Sequence, residues 1–292
     1  MKTILACLLA LAALAACTQA LTPKVTAPHA LVAAEAAPAY IKPPTGKLIW
    51  DWQISASDAQ IIPPSGAKLM DVDGFNTSAA KVAALKKQGI YMVCYLDVGS
   101  WEKNRPDSAQ YPASTKLKKD PDWDEYFLDI REVQQPYSKL APILNSRFAM
   151  CKAKGFDAVE PDNLQNAENA TGSGLTMADQ FAFDAWVADH VHAHDLAVFQ
   201  KNDPDQVLSR APDGRQLVDL FDAILNEQCQ QYGECAGLSE YTKRGKLALD
   251  TEYPKKKRAA LPKLNCTSVP NAIARDLLLT GPSMTGYRRA SC

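Results

Sequence analysis

The chain has 292 residues, 47% of them hydrophobic and 22% charged, and a formal net charge of −1. This is ordinary globular composition. The near balance of charge gives no support for nucleic-acid binding.

Met1-Lys2 is followed by an apolar run that reaches Leu14-Ala15-Ala16-Cys17. One positive charge, a short apolar core and small residues before a cleavage point read as a secretory signal peptide over residues 1–16, too short to span as a mature helix. Leu14 to Cys17 also resembles a bacterial lipobox, which makes Cys17 the lipidated first residue of the mature protein and its membrane anchor. Thr18 at the next position fits outer-membrane sorting, so the expectation is an exported lipoprotein at the outer membrane or cell surface, with soluble secretion as the alternative. Residues 17–46, rich in Ala, Pro and Thr, read as a flexible tether, and residues 47–292 as one folded domain.

With Cys7 and Cys17 set aside, Cys94, Cys151, Cys229, Cys235, Cys266 and Cys292 remain. An even number in an exported chain implies disulfides, whose pairing is not fixed by sequence. The spacings suggest that Cys229 and Cys235 close a small loop and that Cys266 ties back Cys292, which leaves Cys94 with Cys151. No C-x-x-C or H-E-x-x-H spacing occurs, so zinc is disfavoured.

From residue 47 strands and helices alternate. Residues 47–54 read as a strand carrying Trp50, Asp51 and Trp52, and 67–73 as a second ending in Asp71 and Asp73. Asn76-Thr77-Ser78 caps a helix to Gln88, which Gly89 stops. Residues 90–98 are a third, buried-looking strand, followed by Gly99-Ser100-Trp101-Glu102. The excursion over 103–136 holds Arg105 and the run Asp122-Trp123-Asp124-Glu125; it is too long for a turn and is expected to cover one side of a cleft. A helix over 138–154 leads into residues 155–163 (GFDAVEPDN), which alternate like a short buried strand. Pro161 cannot donate to a ladder, so the strand is expected to end there, at an edge or rim. That places Glu160, Asp162 and Asn163 where a strand runs out into a loop. A polar Gly loop (166–175), a helix (176–194) and a fifth strand (196–202) follow. A helix over about 205–221, interrupted near Pro212-Asp213-Gly214, leads to strands at 222–227 and 246–252, and 272–279 is the weakest strand candidate.

Alternating strands and helices imply a parallel sheet, and about eight such units match a (β/α)8 TIM barrel. An open doubly wound sheet is expected to carry a G-x-G-x-x-G or Walker turn, and neither is present. In a barrel the C-terminal strand ends converge on one mouth, where chemistry sits. Those ends carry Asp51, Asp71, Asp73, Asp97, Glu102, Glu160, Asp162, Lys201, Asp203, Glu227, Asp250 and Glu252. One terminal Asp is commonly a helix cap; acids at nearly every strand end form a functional pattern. Crowded carboxylates raise one another's pKa and attract a cationic ligand. Trp50, Trp52, Tyr95, Trp101 and Tyr253 beside them suit a sugar cleft, although Trp52 should alternate away from Asp51 into barrel packing. His190, His192 and His194 read as packing or surface residues. There is no D-x-D-x-D-G loop and no G-x-S-x-G elbow, and no metal or other cofactor is expected.

Several segments together resemble glycoside hydrolase family 114: residues 94–102 (CYLDVGSWE) with Arg105-Pro106-Asp107, residues 155–163 (GFDAVEPDN), Lys201-Asn202-Asp203, residues 226–229 (NEQC) with Tyr232 and Glu234-Cys235, and Gly245-Lys246 leading to Glu252-Tyr253. The resemblance runs in order from about Trp50 to Cys292. It implies a (β/α)8 barrel, internal hydrolysis of α-1,4-linked galactosamine-containing polymers, a catalytic pair at Asp162 and Glu227, and a Cys229–Cys235 bridge. Asp162 is then the carboxylate that attacks or stabilises the oxocarbenium ion and Glu227 the general acid/base, or the reverse, with Glu160 and Glu252 as alternative acids. Trp50, Asp51, Asp73, Tyr95, Glu102, Arg105, Glu160, Asn163, Lys201, Asn202, Glu252 and Tyr253 are the expected substrate-binding residues. The chemistry agrees with the acidic mouth, because a polymer bearing free amines is cationic and glycoside hydrolysis needs two carboxyl groups. A monomer is expected. Asp97 stands where the family often has a small residue, which bears on the cleft wall. The rival readings are a non-catalytic polysaccharide-binding lipoprotein and a metal-assisted hydrolase or deacetylase, the latter disfavoured by the lack of clustered histidine ligands.

Overall fold

The computed structural model describes residues 40–256 and 259–292. The expected signal peptide, Cys17 and residues 17–39 of the expected tether lie outside the described residues. In chain order the elements are β1 (Trp50–Trp52), β2 (Leu69–Asp73), α1 (Ala79–Lys86), β3 (Tyr91–Asp97), β4 (Ser100–Glu102), β5 (Lys116–Lys119), β6 (Glu125–Leu128), α2 (Leu140–Lys154), β7 (Ala158–Asp162), α3 (Asn166–Asn169), α4 (Met177–Ala193), β8 (Ala197–Lys201), α5 (Leu217–Leu220), β9 (Ala223–Glu227), α6 (Cys229–Tyr232), α7 (Ala236–Lys243), β10 (Leu247–Glu252), β11 (Ala272–Arg275) and β12 (Arg289–Ser291).

Strands β1, β2, β3, β7, β8, β9, β10 and β11 pair in that order, all parallel, and β12 adds antiparallel to β11. This sheet curls into a TIM barrel. Side chains alternate across each strand, so β3 sends Tyr91, Val93 and Tyr95 into the barrel with Trp52, Phe199 and Leu249. It sends Met92, Cys94 and Leu96 outward among Leu144, Phe148 and Val187. Both faces are buried, which is why the strand reads as a continuous apolar run. The helices end where local chemistry dictates. Ser78 accepts the Lys81 N–H ahead of α1, Thr176 and Asp179 form a capping box on α4, and Gly155 closes α2 at φ 88°.

Several expectations are corrected. β7 runs through Pro161 to Asp162, because its pairing with β3 continues to Asp162 while its pairing with β8 stops at Val159. A missing N–H is tolerated on a strand that is already an edge on one side. Residues 205–221 hold only a 3-10 turn and the single turn α5, since the chain folds back at Pro212-Asp213-Gly214 with Gly214 at φ 90°. The excursion contains its own antiparallel sheet, in the order β4-β6-β5. The connections from β1 to β2 and from β10 to β11 carry no α-helix among the described residues. The eighth strand is short and is followed by β12, which the sequence reading lacked.

The seam between β1 and β11 is closed by side chains. The Trp50 indole N–H donates to the Asn271 carbonyl at 2.8 Å, and Arg289 donates to the Trp50 carbonyl at 2.7 Å. Arg275, wholly buried, donates to Asp51 Oδ1 at 2.5 Å and also to the Trp52 carbonyl. Breaking a buried ion pair by removing one partner leaves an uncompensated charge. Asp51→Ala is therefore expected to destabilise by about 3–5 kcal/mol, read as a lower urea midpoint. Cys94–Cys151, Cys229–Cys235 and Cys266–Cys292 are bridged, as the spacings suggested. Tyr40, inside the stretch expected as tether, stacks on His192 at 4.9 Å and donates to Asp222 at 2.8 Å. His190 stacks on Trp186 at 4.0 Å, so both histidines pack as expected.

Candidate active site

Three consecutive strands of the barrel end in Asp162 (β7), Lys201 (β8) and Glu227 (β9). The residues that follow, Asn163, Asn202 and Gln228, have φ of 62°, 55° and 64°. A left-handed residue ends a strand abruptly, and Asn tolerates that conformation better than most. The turn strands each functional side chain at the lip of the barrel. Gly99 permits a neighbouring close approach: a Cβ there would lie 1.9 Å from the Asn163 carbonyl oxygen.

Lys201 Nζ lies 2.7 Å from Asp162 Oδ1, 3.1 Å from Glu227 Oε2 and 3.5 Å from Glu160 Oε1. Two inward tyrosines support the carboxylates: Tyr95 donates to Asp162 Oδ2 at 2.8 Å and Tyr253 to Glu227 Oε1 at 2.6 Å. Asn202 donates to Glu227 Oε2 at 3.0 Å and accepts the Glu227 N–H at 2.8 Å. The Lys201 side chain is only 3% exposed, whereas Asp162 and Glu227 are 21% and 28% exposed. The two carboxyl groups thus face a cleft of about 940 Å³. Its walls include Asp73, Glu102, Arg105, Asn163 and Leu278, and the excursion contributes Asp120 to Glu125 and Phe127.

The glycoside-hydrolase family GH114 model matches residues 30–281. The chain belongs to glycoside-hydrolase family GH114. Among solved structures it is similar to Aspergillus fumigatus Ega3 in complex with galactosamine, at 24% identity and TM-score 0.71, covering 85% of this chain and 96% of that one. It is also similar to the glycoside hydrolase domain of PelA from Pseudomonas aeruginosa, at 14% identity and TM-score 0.59, covering 85% and 99%. Both likenesses support the barrel fold. Comparison with curated proteins gives no match.

In this glycoside hydrolase the site's charge states follow from burial and contact. Burial alone raises a carboxyl pKa, but Lys201, the Tyr95 hydroxyl and the Asn163 N–H outweigh it and hold Asp162 below the usual carboxylate range. Burial pulls the Lys201 ammonium down, and Asp162, Glu227 and Glu160 more than reverse it, holding Lys201 well above an ordinary lysine. The Ser100 hydroxyl lies against both Asp97 Oδ2 and Glu125 Oε2. One hydroxyl proton can serve only one of them. Burial, then Glu102, Glu125 and Asp162, push Asp97 well up, so it keeps a proton and can supply the other bond.

Of the expected residues, Asp73, Tyr95, Glu102, Arg105, Asp162, Asn163, Lys201, Asn202, Glu227 and Tyr253 all line the cleft. Arg105 spans Asp73 and Glu102 at 2.6 Å each. Four others lie elsewhere, and strand parity explains it. Trp50 points into the barrel one layer deeper, and Asp51 points the opposite way into the seam with Arg275. Glu160 points inward but is wholly buried below the lip. Glu252, like Asp250, faces outward, because Leu247 and Leu249 take the inner face of β10; the two acids receive the Gln230 and Cys229 N–H groups. Cys229, Asp250 and Glu252 present atoms within 4.8 Å of one another, but the sulfur is committed to Cys235. Trp52 does alternate away from Asp51, and that turns it toward the site, with its ring 4.9 Å from Lys201 Nζ. The sequence reading also lacked Leu277 to Leu279 and a role for Trp123. Trp123 was legible as an aromatic among acids in a long insertion; the leucines had no signal.

Proposed function

We propose that this glycoside hydrolase cleaves internal α-1,4 linkages of a galactosamine-containing polysaccharide with retention of configuration, using Asp162 as nucleophile and Glu227 as general acid/base. One observation carries the mechanism: Lys201 Nζ touches both carboxyl groups, so Asp162 Oδ1 and Glu227 Oε2 lie less than about 6 Å apart. Retaining enzymes hold their carboxyl groups about 5–5.5 Å apart, whereas inverting ones need about 6.5–9.5 Å to admit water. The nucleophile role follows from charge, and Glu227, the more exposed of the two carboxyl groups, is left as the acid/base. Asp162, held ionised, attacks the anomeric carbon while Glu227 protonates the departing glycosidic oxygen. The Glu227 carboxylate then takes a proton from water, whose oxygen displaces Asp162 from the glycosyl ester. The substrate class is supported by the family, by the galactosamine bound to Ega3, and by an acidic cleft wall suited to a polycation.

The test is incubation with partly deacetylated α-1,4-galactosaminogalactan, with product sizes read by mass spectrometry and the first anomer formed read by NMR. Short oligomers appearing early as the α-anomer support the proposal. Early β-anomer would sink retention, and intact polymer would sink hydrolysis of this substrate.

The cleft wall gives a second prediction. Trp123 is 52% exposed on the loop between β5 and β6, beside Asp122. An exposed ring on a cleft wall can stack on a sugar remote from the scissile bond. Trp123→Ala is expected to raise KM about ten-fold on long polymer, the loss of ~1.4 kcal/mol of binding, and to leave kcat nearly unchanged. On oligomers too short to reach the loop KM should not move, and equal losses on long and short substrates would refute the subsite.

A further inference from the structure

We infer that Asp71 and Glu160 are a carboxyl pair that shares a proton beneath the site and, through Lys201, fixes how the two catalytic carboxylates are held. The inference rests on the assignment of Asp162 and Glu227 above. Asp71 on β2 and Glu160 on β7 are both fully buried, and none of their four carboxyl oxygens has a hydrogen-bond donor from another residue among the described residues. By strand parity both point inward, Asp71 with Leu69 on β2 and Glu160 with Ala158 on β7, the two strands that flank β3, and each lies within reach of the other's charge. Two buried carboxyl groups without a donor cannot both stay ionised in one dry pocket, and a proton kept on one lets it donate to the other.

Among the described residues the surroundings supply a single cation at contact distance. Lys201 from β8 is 3.5 Å from Glu160 Oε1 and is already shared by Asp162 and Glu227. The other titratable groups facing the pair from the surrounding strands are Tyr95 on β3, Asp162 on β7, Glu227 on β9 and Tyr253 after β10. Both tyrosines are held well above their ordinary range by burial first and then by these acids, so they remain neutral donors. Burial is the main cause that pushes Asp71 up, to about 8, and Glu160 is pushed well up by burial and then by Asp71.

With a proton on the pair, Lys201 is left to bridge Asp162 and Glu227. When the pair gains charge it competes for the same ammonium, and Lys201 is drawn down and away from the lip. Asp71 and Glu160 are thus positioning residues, acting through Lys201 and not on the sugar. This accounts for a glutamate in the EPDN segment that no substrate can reach.

Two measurements test this. The first does not need activity: carboxyl 13C shifts of Asp71 and Glu160 are followed by NMR from pH 5 to 10. At pH 7 one of the two should be in the protonated form, with a further step as pH rises through about 8. Both groups fully ionised at pH 7 would overturn the pair, whatever the enzyme does to polysaccharide. The second compares kcat at pH 7 and pH 9. Wild type should fall about ten-fold per unit above the step if a single proton loss inactivates. Asp71→Asn and Glu160→Gln each leave one carboxyl beside an amide donor, so their charge no longer changes there. Their pH 9 to pH 7 ratio should rise above that of wild type, up to the limit set by loss of the Glu227 proton, even if both rates are lower. A merely structural role would lower the rate without moving the alkaline limb, and coincident limbs in wild type and both variants would refute the inference. If wild type cuts no polymer, the NMR titration still decides the pair while the hydrolase proposal fails separately.

Discussion

Asp162→Asn is expected to abolish chain cleavage, and Glu227→Gln to slow it by about 10²–10⁴-fold, the usual contribution of a general acid/base. Both variants keep the size of the side chain and much of its hydrogen bonding, since Tyr95 and Lys201 meet Asp162, and Tyr253, Asn202 and Lys201 meet Glu227. What changes is chemistry. An amide cannot form the glycosyl ester, and an amide cannot move a proton. The two roles separate with azide. In Asp162→Gly, azide enters the vacated face and should give a glycosyl azide of opposite anomeric configuration to the substrate. In Glu227→Ala, the ester still forms and azide opens it, so the azide product should keep the substrate's configuration. The opposite pairing of variant and product would exchange the roles of the two acids. Full activity in either amide variant would remove that residue from the catalytic pair.

The sequence made the barrel and the two lip acids legible for a physical reason. Continuous apolar runs such as 90–98 arise only where both strand faces are buried, and Asn163 after β7 and Asn202 after β8 mark where those strands stop. Asp162 and Glu227 were legible as two of many strand-end acids, and only the resemblance to family 114 singled them out; in the structure both end their strands at the inward parity. Asp51, Asp250 and Glu252 ended runs equally well, but parity turned them to the seam or to the outer face. Parity can be counted along one strand, yet which parity faces inward is set by the whole barrel, so short runs such as Trp50-Asp51-Trp52 were ambiguous. Depth was also hidden. Glu160 and Asp162 share a face, two residues apart, and one is 0% exposed while the other's side chain is 21% exposed. The excursion showed its length and acids but not its sheet, because β5 is Lys-Leu-Lys-Lys and carries no buried alternation. The missing helix over 205–221 is the converse case: an apolar pattern with Pro-Asp-Gly in it folds as turns.

Lys201→Met is expected to damage stability and activity together, and with a pH dependence of defined sign. The ammonium is the cation held among Asp162, Glu227 and Glu160, and removing one partner of a buried ionic group costs about 3–5 kcal/mol. In wild type the Asp162 carboxyl is held below its usual range, so its contribution to stability is present above the unfolded value of about 4 and is lost as pH falls. In the variant the opposing effect of Lys201 is gone and burial dominates, so Asp162 should be raised instead. The folded variant then binds more protons than the unfolded chain in weak acid, and its stability should increase as pH falls. Lys201 itself is raised in the folded protein, so its wild-type contribution is complete at neutral pH and persists to the alkaline side of an ordinary lysine. The gap between wild type and Lys201→Met should therefore be widest from about pH 6 to 9 and should narrow toward pH 4.5. Urea midpoints at pH 4.5, 7 and 9 measure it. A gap that stays constant would mean that Lys201 acts by filling space over Trp52 and not by its charge. A gap that widens in acid would contradict the depressed Asp162 carboxyl on which the nucleophile assignment depends.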